Sequence, residues 1–303
     1  RVRRAAEELG YAANPLAQSL KSGRSRLIGV VLGSVANPFF ARLLKGIERG
    51  ALKTHHLVVV SDSDGDPRRE MEILEQLNLQ RVAGVVLAPV GQTADYAGWI
   101  ERMRMPIVLI DHKVEGFNCD FVGSDNRIAS AMLTEHLIRL GHRRFAYIGG
   151  TAGLWTAEER RHGFLDTLEA AGIPLDPAMM LDGQYEAEPA YDAAMRLMTR
   201  SERPTAIVTA NNVMAIGTLQ ALNDLGFRCP EEVSLVSIDD VPWGNVIRPR
   251  ITVAVQPVDA MAQLASDWLL ERIELASQET IPPRQHLFTP RLMIGQSCQP
   301  PPA

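Results

Sequence analysis

The residues best suited to binding chemistry cluster at the start of the chain. Between positions 1 and 26, Arg1, Arg3, Arg4, Lys21, Arg24 and Arg26 stand against Glu7 and Glu8, on a chain whose net charge is −5. A cationic arm on an acidic body suits phosphate contact at one end of the molecule. A second candidate is Asn37-Pro38-Phe39-Phe40, which follows an apolar run and opens a helical pattern. Free N–H groups at such a helix start, beside two aromatic rings, could hold a flat or ring-shaped ligand. The competing use of Phe39 and Phe40 is as core. There is no GxSxG, HExxH, Walker A loop or GxGxxG, and the glycine-rich stretch from Gly149 to Gly153 lacks the phosphate-loop lysine. The seven histidines have no metal-ligand spacing, and Cys119, Cys229 and Cys298 form no CxxC. A binding protein is expected, with no catalytic residue, no metal and no cofactor.

These residues need a scaffold, and 303 residues allow two domains with separate cores. Hydrophobic content of 46% with 22% charged residues is ordinary for a globular protein. No apolar run approaches the ~18 residues of a membrane span, and no secretory h-region follows the basic start, so a cytoplasmic protein is expected. Position 1 is Arg, and the chain is expected to begin inside a longer protein. From Leu27 onward, β-branched apolar runs predict strands at Leu27–Leu32, Leu57–Ser61, Val82–Ala88, Ile107–Ile110, Phe145–Gly149, Ala206–Thr209, Val233–Ile238 and Thr252–Val255. Amphipathic stretches between them predict helices near Pro38–Lys53, Pro67–Gln80, Asn126–Leu140, Ala157–Ala171, Pro189–Arg200, Asn211–Leu225 and Asp259–Leu275. Continuous apolar strands separated by helices indicate parallel sheets covered on both faces. The pattern runs once before about Asp125 and once after it. The predicted fold is α/β, with two doubly wound parallel-sheet lobes and a cleft between them, faced by the carboxyl ends of the strands.

Ahead of this body, Val2, Ala5, Ala6 and Leu9 share one helical face, and Gly10 ends it. Asn14 can cap a second segment with Pro15 in its first turn, followed by Leu16, Ala17 and Leu20 at helical spacing. That segment is too short to be stable alone in water. A helix that forms only with DNA and a second copy of the chain explains it. The string RVRRAAEELGY, then NPLAQSLKSGRS, then LIGVVL closely resembles the headpiece end, hinge helix and first strand of the lactose-repressor (LacI/GalR) family. The resemblance implies that Leu20 wedges between base steps in the DNA minor groove, with Ala17, Ser19 and Lys21 against the groove and phosphates. It implies a remnant of a helix-turn-helix headpiece at 1–12 and a hinge at 13–26. The N-terminal lobe then takes 27–125 plus 256–285, and the C-terminal lobe 126–255 plus 286–295. The proline-rich tail, 296–303, is expected to be disordered.

NPFFARLLKGIERGA also resembles the related periplasmic sugar-binding proteins, and the shared body implies a ligand set. Asn37, Phe39 and Phe40 would meet the ligand from the first lobe. Asp111-His112 falls where the sugar-binding relatives carry Asp-Arg, so His112 removes a permanent charge. Arg160 matches the arginine that clamps the effector, and its planar fork can hold two oxygens at once. Tyr185 matches a stacking aromatic, and Asn211, Asp239 and Gln256 match polar contacts. Thr156 is expected as a hydroxyl contact and Trp155 as a lid. Together these imply a ligand-responsive transcriptional regulator, in all expectation a repressor and a homodimer. Its effector would be a small polar molecule, a sugar or sugar acid, and its macromolecular partner operator DNA. The alternative is the periplasmic sugar receptor of a transporter, which shares the two-lobe body but not the basic arm.

Overall fold

The computed structural model describes residues 25–103, 105–246, 248–275 and 282–302. The headpiece remnant and nearly all of the hinge, with Ala17, Ser19, Leu20 and Lys21, lie outside the described residues. The chain runs β1 (Leu27–Leu32), α1 (Pro38–Lys53), β2 (Leu57–Asp62), α2 (Pro67–Leu79), β3 (Gly84–Leu87), α3 (Ala94–Ile100), β4 (Ile107–Ile110) and β5 (Asp120–Ser124). It continues with α4 (Asn126–Arg139), β6 (Phe145–Gly149), α5 (Trp155–Ala170), a 3-10 turn, β7 (Met180–Asp182), α6 (Ala187–Met198), β8 (Ala206–Thr209) and α7 (Asn212–Asp224). The last elements are β9 (Ser234–Ile238), β10 (Thr252–Val255), α8 (Val258–Leu275), β11 (Gln285–Phe288) and β12 (Arg291–Met293).

Two six-stranded sheets result, ordered β11-β5-β4-β3-β1-β2 and β12-β10-β9-β8-β6-β7. Every pairing is parallel except β10 with β12. Central strands are buried on both faces, which is why they are apolar without alternation. In the first lobe Val30, Leu32, Val86, Val108 and Ile110 pack under α1 and α8, while Val31, Val85, Leu87 and Leu109 pack with Leu74 and Ile100 on the other face. One larger core fills the second lobe, around Ile148, Phe164, Val208 and Val236. Helix starts are capped as the sequence suggests: Asn37, Asp66, Asp125 and Asn211 each accept a backbone N–H with a side-chain oxygen.

Several expectations need correction. β5, β7, β11, β12 and α3 were not foreseen. β5 opens on Asp120, a buried carboxylate held by Arg272 and Arg284 at 2.8 and 3.1 Å, so the strand does not look apolar. The lobe boundary expected at 285 falls inside β11, which belongs wholly to the first sheet, and the chain crosses to the second sheet only before β12. The tail is not disordered as far as it is described. Ser297 is fully buried, its Oγ accepts from the Thr252 N–H at 2.9 Å, and its carbonyl accepts from Leu235 N–H at 2.9 Å. The Gln299 carbonyl is held by His142 and Ser234, so hydrogen bonding ties down a segment that proline content marked as loose.

Candidate functional site

Strand carboxyl ends from both sheets meet at a cavity of about 390 Å³ between the lobes. That size lies within the usual range for small-molecule sites, roughly 300–1,000 Å³. Eleven of the twelve residues expected at the effector site line it: Asn37, Phe39, Phe40, Asp111, His112, Thr156, Arg160, Tyr185, Asn211, Asp239 and Gln256. Trp155 does not. Its ring instead stands edge-on to Phe121 of the first lobe at 5.5 Å, with the Lys113 ammonium over both rings, so it packs beside the cleft and not over it. Phe39 and Phe40 are each buried in the first-lobe core and also form cavity wall.

Arg160 is the central cation. Gly163, one turn later on α5, sits so close to α4 that a Cβ there would lie 2.2 Å from the Arg127 carbonyl oxygen. That approach brings the Arg160 Nε to Asn126 Oδ1 at 2.6 Å, while Nη1 donates to the Ala210 carbonyl at 2.6 Å. Two hydrogen bonds thus fix the guanidinium from different sides, and among the described residues Nη2 has no hydrogen-bond partner. Its centre lies 5.7 Å from the Tyr185 ring. Burial works against its charge, but Tyr185, Asp111 and Asp239 outweigh that and raise its pKa. Tyr185 can lie here because Gly150 leaves room: a Cβ on Gly150 would stand 2.1 Å from the ring.

Opposite, both oxygens of Asp239 are engaged by Gln256, one by its backbone N–H at 3.2 Å and one by Nε2 at 2.6 Å. Burial pushes the Asp239 carboxyl up to about 6, against the pull of Arg160 and the two bonds from Gln256. Gln256 Oε1 and Asp111 Oδ1 are buried with no hydrogen-bond partner. Buried acceptors without donors are costly, and both belong to residues that line the cavity. His112 links Asp111 to the second lobe, with Nε2 3.2 Å from Asp111 Oδ2 and Nδ1 3.3 Å from Thr156 Oγ1. Burial is the main force lowering the His112 pKa, and Arg160 adds to it against the pull of Asp111. Asn211 is the N-cap of α7, and its Nδ2 donates to the Tyr185 carbonyl at 3.2 Å.

Backbone strain concentrates in the same place. Among the described residues seven non-glycine positions have positive φ, and five of them line the cavity: Asp64, Asp111, Gln184, Tyr185 and Asp239. Each such conformation costs roughly 1 kcal/mol or more and persists where the surroundings impose it, as at ligand sites. Asp64 and Gln184 were not anticipated, although both follow strand ends and the carboxyl-end rule could have found them. Asn126, the partner of Arg160, was hidden because the strand before it was not foreseen.

Residues 134–298 match the family model for a periplasmic binding protein-like domain. The chain is 31% identical over 301 residues to the HTH-type transcriptional regulator GalR of Escherichia coli, covering 99% of this chain and 87% of that protein. It is also similar to a LacI family transcriptional regulator from Mycobacterium smegmatis, with 29% identity, a TM-score of 0.79, and coverage of 91% of this chain and 100% of that one. A LacI family regulator from Enterococcus faecium, solved with bound ribose, shares the fold at a TM-score of 0.79 and 24% identity, over 90% of this chain and 99% of that one. With its two parallel-sheet lobes and a likeness to GalR that spans almost the whole chain, the protein belongs to the LacI/GalR family of transcriptional regulators.

Proposed function

We propose that the interlobe cavity binds a small, hydroxyl-rich effector, a sugar or sugar acid, and that its occupancy controls operator binding through the hinge. The carrying observation is the convergence of Arg160, Asp239, Gln256 and the unpartnered Asp111 Oδ1 on one cavity from several strand ends. Asp64, Asp111, Glu186 and Asp239 line the cavity together with Arg160, an excess of carboxylates that favours a neutral sugar over a sugar acid. The bound ribose of the Enterococcus faecium regulator supports a sugar in this fold. The protein acts as a repressor in the cytoplasm and not as an enzyme. Its similarity to GalR covers 99% of the chain and so extends ahead of Leu27, which favours a regulator over a transporter's receptor.

In this reading two copies pair through α1, α2 and second-lobe surface. Exposed apolar residues on each lobe support that pairing: Leu57 and Leu79 on the first, Trp243 and Val246 on the second. Effector binding changes lobe closure and the spacing of the two hinge segments, so that Leu20 of each copy enters the minor groove or is withdrawn. Ala17, Ser19 and Lys21 flank it. The test is fluorescence anisotropy on fragments that the full-length protein selects from genomic DNA. Neutral monosaccharides should shift the DNA affinity at least tenfold, and Leu20→Ala should weaken it. DNA affinity indifferent to Leu20→Ala and to every sugar would overturn the reading.

A further inference from the structure

Four side chains make an unbroken polar chain from one lobe to the other. Asp111 and His112 follow β4 in the first lobe, whereas Thr156 on α5 and Tyr185 after β7 belong to the second. Asp111 Oδ2 lies 3.2 Å from His112 Nε2, a close charge contact without hydrogen-bond alignment, and the hydrogen-bonded steps are 3.3 Å from His112 Nδ1 to Thr156 Oγ1 and 2.9 Å from Thr156 Oγ1 to the Tyr185 hydroxyl. Asp111, His112 and Thr156 are all buried. We propose that this chain is a one-way hydrogen-bond relay that ties the lobes together, with His112 the positioning residue that decides which hydrogen-bonding face the cavity shows a ligand. The proposal rests on the reading of the cavity as an effector site.

The direction follows from the inventory of donors and acceptors. A carboxylate oxygen 3.2 Å from Nε2 repels a lone pair there and attracts an N–H, so the ring proton belongs on Nε2. The neutral ring then has an acceptor at Nδ1, and Thr156 must donate to it. Thr156 Oγ1 in turn receives the Tyr185 proton. Every hydroxyl proton is used inside the relay, so the Tyr185 oxygen is left as an acceptor. It joins Asp111 Oδ1 and Gln256 Oε1, both buried and unpartnered. A ligand rich in donors meets that set, and one that offers only acceptors does not. The charged groups that face the ring are Asp111 on its own loop and Arg160 on α5, and burial with Arg160 works against a charged ring. Arginine at position 112 has no acceptor and could not receive the Thr156 proton.

The lobe-tying role has a second support beside the relay. Trp155 of the second lobe meets Phe121 of the first edge-on at 5.5 Å, with Lys113 4.9 Å from the Phe121 ring centre. Polar and apolar contacts therefore strap the same side of the cleft.

The test needs no ligand, so its outcome is separate from whether sugars bind. Long-range 1H–15N spectra of the 15N-histidine protein, with His112 assigned by His112→Gln, report tautomer and protonation from pH 5 to 8. X-ray scattering reports lobe separation. The expected result is a His112 with its proton on Nε2 that takes up its second proton below the ordinary value of about 6.5. Thr156→Val should shift the Nδ1 resonance and enlarge the radius of gyration, while Thr156→Ser should restore both. A His112 that carries its proton on Nδ1, or that protonates near the ordinary value of about 6.5, would overturn the relay. So would a Thr156→Val protein with unchanged ring signals and scattering. If that variant does not fold, the wild-type spectra alone decide.

Discussion

Arg160 and Glu70 show how much individual side chains can carry. The guanidinium of Arg160 is held at Nε by Asn126 and at Nη1 by the Ala210 carbonyl, which needs several donors fixed in one plane. Arg160→Lys keeps the charge but cannot reach both partners, so it should lose at least tenfold in effector affinity by calorimetry. An unchanged affinity would show that charge alone is used. Glu70 on α2 is fully buried and accepts from the Tyr96 hydroxyl and the N–H of Val90 at 3.1 Å, and Val90 is part of the cavity wall. Burial raises its carboxyl to about 7, although the hydrogen bonds from Tyr96 and Val90 pull it down. The unfolded chain ionises Glu70 near 4.5, so the folded state holds the proton more tightly between those values. Stability from this group is therefore full below pH 4.5 and is lost as pH rises through 7, by on the order of 3 kcal/mol. Glu70→Gln should flatten the slope of unfolding free energy over that window. A slope equal to that of the unaltered protein would assign the pH dependence elsewhere.

At the scale of elements, most strands were legible, but β5, β7, β11 and β12 were not. Strands such as Leu27–Leu32 and Ile107–Ile110 are short β-branched runs buried on both faces, a pattern visible without any partner. β5 was not visible, because Asp120 is neutralised by Arg272 and Arg284, which lie 152 and 164 residues away in sequence. The cavity set was legible for a related reason, since strand ends and family resemblance locate Asp111, Asn211 and Asp239 without geometry. Contacts between lobes were not, and Trp155 turned out to face Phe121 because the strand carrying Phe121 had gone unrecognised. Helix packing is set by close approach, as at Gly163. Gly163→Ala would force a methyl to within 2.2 Å of the Arg127 carbonyl, an atom of backbone that cannot swing aside. The melting temperature should fall by several degrees, with a cost of about 1–3 kcal/mol. A methyl accepted there with no loss would mean that α4 and α5 can separate freely.

For the whole molecule, the proposed coupling links a cavity between two lobes to the segment ahead of the first. If effector and operator are coupled, each must change the other's affinity by the same factor, whichever sign the coupling has. Paired titrations, effector at saturating and zero DNA and DNA at saturating and zero effector, should return equal ratios. Unequal ratios would mean a further ligand or a change of assembly. Thermal unfolding of the wild type beside Arg160→Ala decides whether the cavity is an effector site built around Arg160. Neutral monosaccharides, sugar acids, phosphosugars and nucleobases would each be added to both proteins. A ligand at a hundred times its dissociation constant stabilises the folded state by about 2.7 kcal/mol. We expect at least one neutral sugar to raise the midpoint of the wild type and to leave Arg160→Ala unmoved. No shift with any compound, or an equal shift in both proteins, would contradict the account.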